Sequence, residues 1–224
     1  MLHSTYYNKN TYEDPKTSAV FENLVLLPDN VFWHILKTSC YENADLPSNI
    51  GQLLNYEFWA HWDSTGTTNS LLVEPDLFLQ FEEADVIIEA KYSDTAGQYE
   101  EQWRNEIIAY RNEYKKSKKN IIFIAIGGNS TILSEKILVQ DSYQNIYKCT
   151  WHQVLITTNK YLNQLEEITF TDYNLSATKR LLNHIILAFN INHVYNIEWF
   201  NTMVENKLLI SQESLNVLNN KFNW

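Results

Sequence analysis

The chain has 224 residues, of which 45% are hydrophobic and 20% are charged, and its formal net charge is −10. This length and composition favour one folded domain and exclude a disordered chain. They also argue against a membrane-spanning protein, because no apolar run approaches the roughly 18 residues that a membrane span needs.

The first ten residues and the cysteines bear on the cellular compartment. The opening MLHSTYYNKN lacks a basic region followed by an apolar core, so we expect no secretory signal. The two cysteines, Cys40 and Cys149, are too few and too far apart for a disulfide framework or a zinc cluster. We therefore expect a cytoplasmic protein with no membrane partner.

In chain order, the predicted elements are helices over about 17–27, 30–40 and 48–59, strands over 71–80 and 84–92, a helix over 97–116, a strand over 120–128, and helices over 151–165, 173–190 and 196–207. Ser48 is a suitable N-cap for the third helix. Trp103, Ile107 and Tyr110 form the apolar stripe of the fourth. The unbroken apolar run NIIFIAIGG is typical of a central strand that is covered on both faces. This order predicts an α/β fold with a mixed central sheet flanked by helices.

The hairpin predicted over 71–92 carries charged residues where a core hairpin would carry apolar ones. Because side chains two apart on a strand share a face, Asp76 and Glu89 can lie side by side, with Lys91 one step beyond. Two carboxylates that close repel each other, and a divalent cation such as Mg²⁺ between them removes that penalty. The alternative is a cross-strand salt bridge with a structural role.

Glu57 falls on the apolar stripe of the helix predicted over 48–59. An unpaired charge there would cost several kcal/mol, so Glu57 needs a partner, which a metal ion or Lys91 would supply. If that helix is instead phased on Tyr56 and Trp59, Glu57 lies at the rim and needs none.

The predicted helix 97–116 and its end supply the candidate contacts to a phosphate backbone. The basic residues follow one flank and the glutamines Gln98 and Gln102 the other; the basic set is Arg104, Arg111, Lys115 and Lys118. Against this, basic residues near a helix end also complement the helix dipole, and a charged stripe is usually only solvated. The acidic net charge further argues against tight autonomous binding to DNA, although it leaves catalysis open.

Glu57, Pro75-Asp76, Glu89-Ala90-Lys91 and the following helix with Gln98 and Gln102 together resemble the PD-(D/E)xK nuclease superfamily, over about residues 48–128. The resemblance implies a restriction-endonuclease-like three-layer core in one nuclease domain over 1–224, with helical additions at 1–47 and 129–224.

The resemblance also implies roles for single residues. Asp76, Glu89, the Ala90 carbonyl and Glu57 would hold Mg²⁺, for which Mn²⁺ could substitute. Lys91 would assist the attacking water, and Gln102, in preference to Gln98, would contact the site or the DNA.

We therefore expect a metal-dependent DNA endonuclease that acts in bacterial or mobile-element restriction or defence. The sequence leaves open whether a protein partner targets the enzyme and whether the enzyme forms a homodimer. The alternative is a non-catalytic, partner-binding subunit of a defence or recombination complex built on the same fold. An RNA-directed enzyme is a third option.

Overall fold

The computed structural model of the protein describes residues 13–95, 97–168 and 173–196, and within them a six-stranded mixed sheet forms the centre of the fold. Across the sheet, the strands are β1 (Leu53–Phe58), β4 (Leu77–Phe81), β5 (Ala84–Ala90), β6 (Asn120–Ile126), β8 (Ser142–Cys149) and β7 (Glu135–Val139). Strands β5, β6 and β8 are parallel, and the remaining neighbours are antiparallel. A separate two-stranded ribbon consists of β2 (Trp62–Asp63) and β3 (Leu72–Val73).

Five helices occur within the described residues: α1 (Glu13–Leu24), α2 (Asp29–Ser39), α3 (Glu100–Glu113), α4 (Trp151–Glu166) and α5 (Tyr173–Ile191). Five of the predicted helices thus exist, with ends shifted by a few residues, and the α/β class with a mixed sheet is confirmed. Beyond its first position, the helix predicted over 196–207 lies outside the described residues. No helix in the described ranges is both long and apolar enough to cross a membrane.

The helix predicted over 48–59 is wrong, because this segment forms strand β1 at the edge of the sheet. Gly51 adopts a φ of +81° at the start of the segment, which is incompatible with a continuous right-handed helix. The following residues pair with β4 in antiparallel register, with Phe58 opposite Leu77. Tertiary pairing has therefore overridden a helical spacing of apolar residues.

Two further strand predictions need correction. The first hairpin strand, predicted over 71–80, is divided between β3 and β4, so Asp76 lies just before β4 and not in the middle of a strand. Residues 129–224 are not all helical additions, because β7 and β8 lie at 135–149 and complete the sheet.

Apolar side chains cover both faces of the sheet. On one face, β4, β5 and β6 pack in a core with α1, α2, α4 and α5, around residues such as Phe21, Leu36 and Trp151. On the other face, Phe78 and Ile87 pack with α3 and the β2–β3 ribbon. Asp76 and Glu89 lie on this second face, which positions them beneath α3.

Candidate functional site

The pairing of β4 with β5 brings Asp76 and Glu89 together at one end of the two strands. Leu77 lies opposite Ile88, so the register places Asp76 beside Glu89. Asp76 is 7% exposed and Glu89 is 1% exposed. The Ala90 backbone N–H donates a hydrogen bond of 2.8 Å to Asp76 Oδ2, which fixes this carboxylate against β5.

Lys91 and Gln102 both contact the Glu89 carboxylate. Lys91 Nζ forms an ion pair with Glu89 Oε1, and Gln102 Nε2 donates to the same oxygen at 2.7 Å. Gln102 lies in the first turn of α3, so the helix predicted to carry it does bring it to the site. The structure thus brings together Asp76, Glu89, Lys91 and Gln102.

The backbone of Lys91 is held from both sides. Its N–H donates to the Ile126 carbonyl at 2.8 Å, and its carbonyl accepts from Trp151 Nε1 at 2.7 Å. Gly127, next along the chain from Ile126, has a φ of +67° and passes so close that a Cβ there would lie 2.8 Å from the Lys91 carbonyl oxygen. The end of β5 is therefore tied both to β6 and to the start of α4.

Gln98 has a structural contact at the site. Its Nε2 donates to the Glu89 backbone carbonyl at 3.0 Å, and its Oε1 accepts from Trp103 Nε1 at 2.6 Å. Gln98 therefore joins the end of β5 to α3, and its amide is engaged within the protein.

Sequence reasoning missed Glu106, a buried carboxylate of α3 that is 1% exposed. Its carboxyl group lies near that of Glu89, and the two can share a hydrogen bond when one of them is protonated. A signal was present in the sequence, because Glu106 lies three residues after Trp103 and four before Tyr110, on the apolar stripe of the helix.

Burial controls the protonation of this pair. Burial raises the pKa of Glu106 to about 8, and the negative charge of Asp76 adds to the rise. Burial, followed by the negative charge of Glu106, raises the pKa of Glu89 well above its ordinary range. Across the described ranges, no donor other than these two carboxyl groups themselves reaches Glu89 Oε2 or the Glu106 oxygens with standard hydrogen-bond geometry, although the Gln102 amide also interacts with Glu106.

A cleft of about 390 Å³ opens beside Glu106, between the N-terminal half of α3 and the loop that joins β2 to β3. Glu74, Glu101 and Gln102 also line it, and no lysine or arginine among the described residues does. His61 Nε2 lies 2.8 Å from Oε1 of Glu74. Because Glu74, Glu101 and Glu106 line it, the cleft is acidic.

Glu57 lies elsewhere than predicted. It is an exposed residue of the edge strand β1 and pairs with Phe78, two residues along from the position beside Asp76. After burial, its negative charge is the next cause of the raised pKa of Tyr114. The expectation that Glu57 needed a buried partner came from a helix that the structure does not contain.

Two residues of the predicted basic stripe make contacts within the protein, and the other two lie beyond the end of α3. Arg104 forms an ion pair with Glu100. Arg111 donates to the Val139 carbonyl at 2.9 Å and to Ser142 Oγ at 2.8 Å, so it holds the turn between β7 and β8. Lys115 and Lys118 are exposed beyond the end of α3, and none of the four basic residues lines the cleft.

The donor set at the site is compatible with a hard divalent cation, which prefers carboxylate and carbonyl oxygens and needs only one or two carboxylates. The buried, unpartnered Glu89 Oε2 is an oxygen of this kind. Within the described residues, however, no three His, Cys, Asp or Glu side chains converge on one point. A cation at Glu89 would use Oε2, because Lys91 and Gln102 engage Oε1.

Comparisons with known proteins give few matches. No family model matches the chain. An uncharacterized protein of Pasteurella multocida (strain Pm70) is 30% identical over 169 residues, which cover 69% of this chain and 62% of that protein. The chain thus spans less than two thirds of the length of this curated relative.

Among solved structures, a match is found to a refined half-complex from a tetradecameric assembly of Thermococcus gammatolerans McrB AAA+ hexamers with bound McrC. It has a TM-score of 0.28 and 12% identity, and it covers 58% of this chain and 28% of that chain. A similarity of this size carries no argument about fold or function.

Proposed function

We propose that this protein is a metal-dependent deoxyribonuclease with a restriction-endonuclease-like core, cleaving DNA internally in a restriction or defence setting. The observation that carries the proposal is the arrangement of Asp76, Glu89 and Lys91 at the end of β4 and β5 that lies opposite their connecting turn. Two carboxylates and a lysine in this order suit phosphodiester hydrolysis, which needs a positioned nucleophile and compensation for charge on the phosphate.

Each residue has a role in the proposed reaction. Asp76, Glu89 and the Ala90 carbonyl would hold Mg²⁺, which supplies charge neutralisation at the phosphate and favours deprotonation of water. Lys91, released from its ion pair with Glu89, would orient the attacking water or stabilise the developing negative charge. Gln102 holds Glu89 in place through its 2.7 Å hydrogen bond and is a positioning residue.

The acidic cleft favours a second candidate function. Among the described residues, no lysine or arginine lines the cleft, and Arg104 and Arg111 are engaged within the protein. A chain that does not grip phosphates itself suits either a nuclease that a partner protein delivers to DNA or a non-catalytic, partner-binding subunit.

A cleavage assay tests the proposal. The purified protein is incubated with linear, circular and single-stranded DNA in Mg²⁺ or Mn²⁺, with EDTA as a control. We expect Asp76→Ala and Lys91→Ala to lower the cleavage rate by about 100-fold or more.

Asp29→Ala is the matched control, because Asp29 also follows a proline but lies at the start of α2. It should leave cleavage unchanged. Cleavage that survives both site substitutions would refute the assignment, and the absence of cleavage by the wild-type protein would favour the non-catalytic subunit.

A further inference from the structure

Glu106 is a buried acid on a helix face that otherwise packs in the core. Its neighbours on that face, Trp103, Ile107 and Tyr110, belong to the core between α3 and the sheet. A buried carboxylate costs several kcal/mol unless a cation or hydrogen-bond donors compensate it. Within the described residues, no donor of standard hydrogen-bond geometry reaches the Glu106 oxygens, which interact with the Glu89 carboxyl and the Gln102 amide.

The group that faces Glu106 is another acid. Glu89 Oε1 is engaged by Lys91 and Gln102, whereas Glu89 Oε2 receives no donor from the described residues. Glu89 Oε2 and the two Glu106 oxygens are therefore buried together, and the contact between the two carboxyl groups is a hydrogen bond only while one of them keeps its proton. An oxygen-binding cation satisfies such a set directly, and Mg²⁺ in particular takes one or two carboxylates and keeps several waters.

The cleft supplies the space that these waters need. Glu106 lies on its lining, next to Gln102, and the cleft volume of about 390 Å³ exceeds the space that several waters occupy. Gln102 precedes Glu106 by one helical turn and holds Glu89 through Oε1. Oε2 is thereby left for a ligand on the side of Glu106.

We propose that a divalent cation binds between Glu89 and Glu106, with Glu106 supplying the helix-borne carboxylate that sequence reasoning assigned to Glu57. This inference rests on the proposed function in that the cation serves the same phosphodiesterase site. It adds a ligand that comes from α3 and not from the β4–β5 hairpin. It also makes the cleft the route by which the cation reaches the site.

Binding of Mn²⁺ in the absence of DNA tests this inference separately from cleavage. Titration of the full chain, followed by isothermal calorimetry or by the electron paramagnetic resonance signal of free Mn²⁺, gives the affinity. We expect Glu106→Gln to weaken Mn²⁺ binding by about tenfold or more. Glu100→Gln, an exposed acid on the same helix that does not line the cleft, is the matched control and should bind as the wild type does.

Thermal unfolding distinguishes a ligand from a structural acid. In EDTA, Glu106→Gln should unfold at the same or a higher temperature than the wild type, because glutamine carries no charge for burial to penalise and its amide can donate to Glu89. In Mn²⁺ it should lose the rise in Tm that the wild type shows. A lower Tm in EDTA with unchanged Mn²⁺ affinity would overturn the inference, as would a wild-type protein that binds no Mn²⁺ at millimolar concentration.

The two proposals can fail independently. A protein that binds Mn²⁺ through Glu106 but cleaves no DNA would retain this inference and lose the proposed function. Metal-dependent cleavage that is lost in Lys91→Ala but kept in Glu106→Gln, with unchanged Mn²⁺ affinity, would retain the proposed function and overturn this inference.

Discussion

At the scale of single residues, Glu89 receives contacts from three parts of the chain. Lys91 lies just beyond the end of β5, Gln102 reaches Glu89 from the first turn of α3, and Glu106 faces it from the next turn. Each contact acts on a different property of the carboxylate: its charge, its orientation and its protonation. Substitution of one neighbour should therefore alter one of these properties more than the others.

The Glu89–Glu106 pair predicts how stability depends on pH. Burial raises the pKa of Glu106 from an ordinary 4.5 to about 8, so between these values the folded protein binds more protons than the unfolded chain. In EDTA, the free energy of unfolding should therefore fall as pH rises from 6 to 8.5. One proton accounts for up to about 1.4 kcal/mol per pH unit.

Urea unfolding at several pH values in EDTA measures this slope. Glu106→Gln should reduce it, because glutamine does not titrate, and Glu101→Gln should leave it unchanged. A slope of the opposite sign in the wild type would contradict the burial argument.

Single residues also mark the limit of sequence reasoning. Asp76, Glu89 and Lys91 could be placed together because side-chain alternation along paired strands is a local rule. Glu57 was placed wrongly, because its stripe presupposed a helix where the chain pairs with β4. Glu106 was missed although it lies on the correct stripe of a correctly predicted helix, because its partner Glu89 comes from a distant strand.

At the scale of elements, the turn between β7 and β8 depends on a residue of α3. Arg111 binds the Val139 carbonyl and Ser142 Oγ, and it also donates to Gln140 Oε1 at 3.2 Å. Hydrogen bonds from a charged donor contribute about 1.5–3 kcal/mol. Arg111→Ala should therefore lower the free energy of unfolding by about that amount.

Urea unfolding checks the effect of Arg111→Ala, with Lys115→Ala as the control. Lys115 is exposed beyond the helix, so its removal should change stability by less than about 0.5 kcal/mol. If Arg111→Ala left stability unchanged and weakened DNA binding instead, the result would favour the contact to the DNA phosphate backbone that the sequence predicts for Arg111.

The junction between β6 and the end of β5 gives another element-scale prediction. Gly127 and Gly66 both have positive φ values, of +67° and +78°. An alanine Cβ would lie 2.8 Å from two carbonyl oxygens at Gly127, those of Lys91 and Ser93, whereas at Gly66 the nearest atom is 3.8 Å away. Gly66→Ala should cost about 1–2 kcal/mol of backbone strain, and Gly127→Ala should cost more.

Chemical denaturation of the two alanine variants isolates the steric contribution to the loss of stability, because both variants carry a similar contribution from backbone strain. Equal losses would mean that the β5–β6 junction relaxes freely. A larger loss for Gly127→Ala should also be accompanied by weaker cleavage, because Lys91 lies at the contact.

At the scale of the whole molecule, the α/β class could be predicted because β5 and β6 are nearly continuous apolar runs. Strands β7 and β8 could not be predicted from the sequence. β7 is an edge strand that buries only alternate residues, and β8 is polar and exposed along its first half. β8 joins the sheet by long-range parallel pairing with β6, which no local pattern in the sequence specifies, and β7 joins it only as the antiparallel partner of β8.

The net charge of −10 and the acidic cleft predict weak DNA binding without a divalent cation. Repulsion between carboxylates and phosphates opposes association, and a bound cation reduces it. Fluorescence anisotropy with a labelled oligonucleotide should therefore show tighter binding in Ca²⁺ than in EDTA.

The same measurement with Asp76→Ala should show a smaller effect of Ca²⁺. Strong binding in EDTA that weakens steeply with salt would contradict this prediction, because it would require a basic surface that the cleft does not offer.

Two hydrogen bonds, one from Trp151 and one to Ile126, hold the Lys91 backbone in place. With its main chain clamped, the lysine can change partner only by rotating its own side chain. Such rotations are completed within nanoseconds when the side chain is free to move, far faster than loop movements. In the proposed reaction, transfer of the ammonium group from Glu89 to an incoming phosphate should therefore require no loop movement.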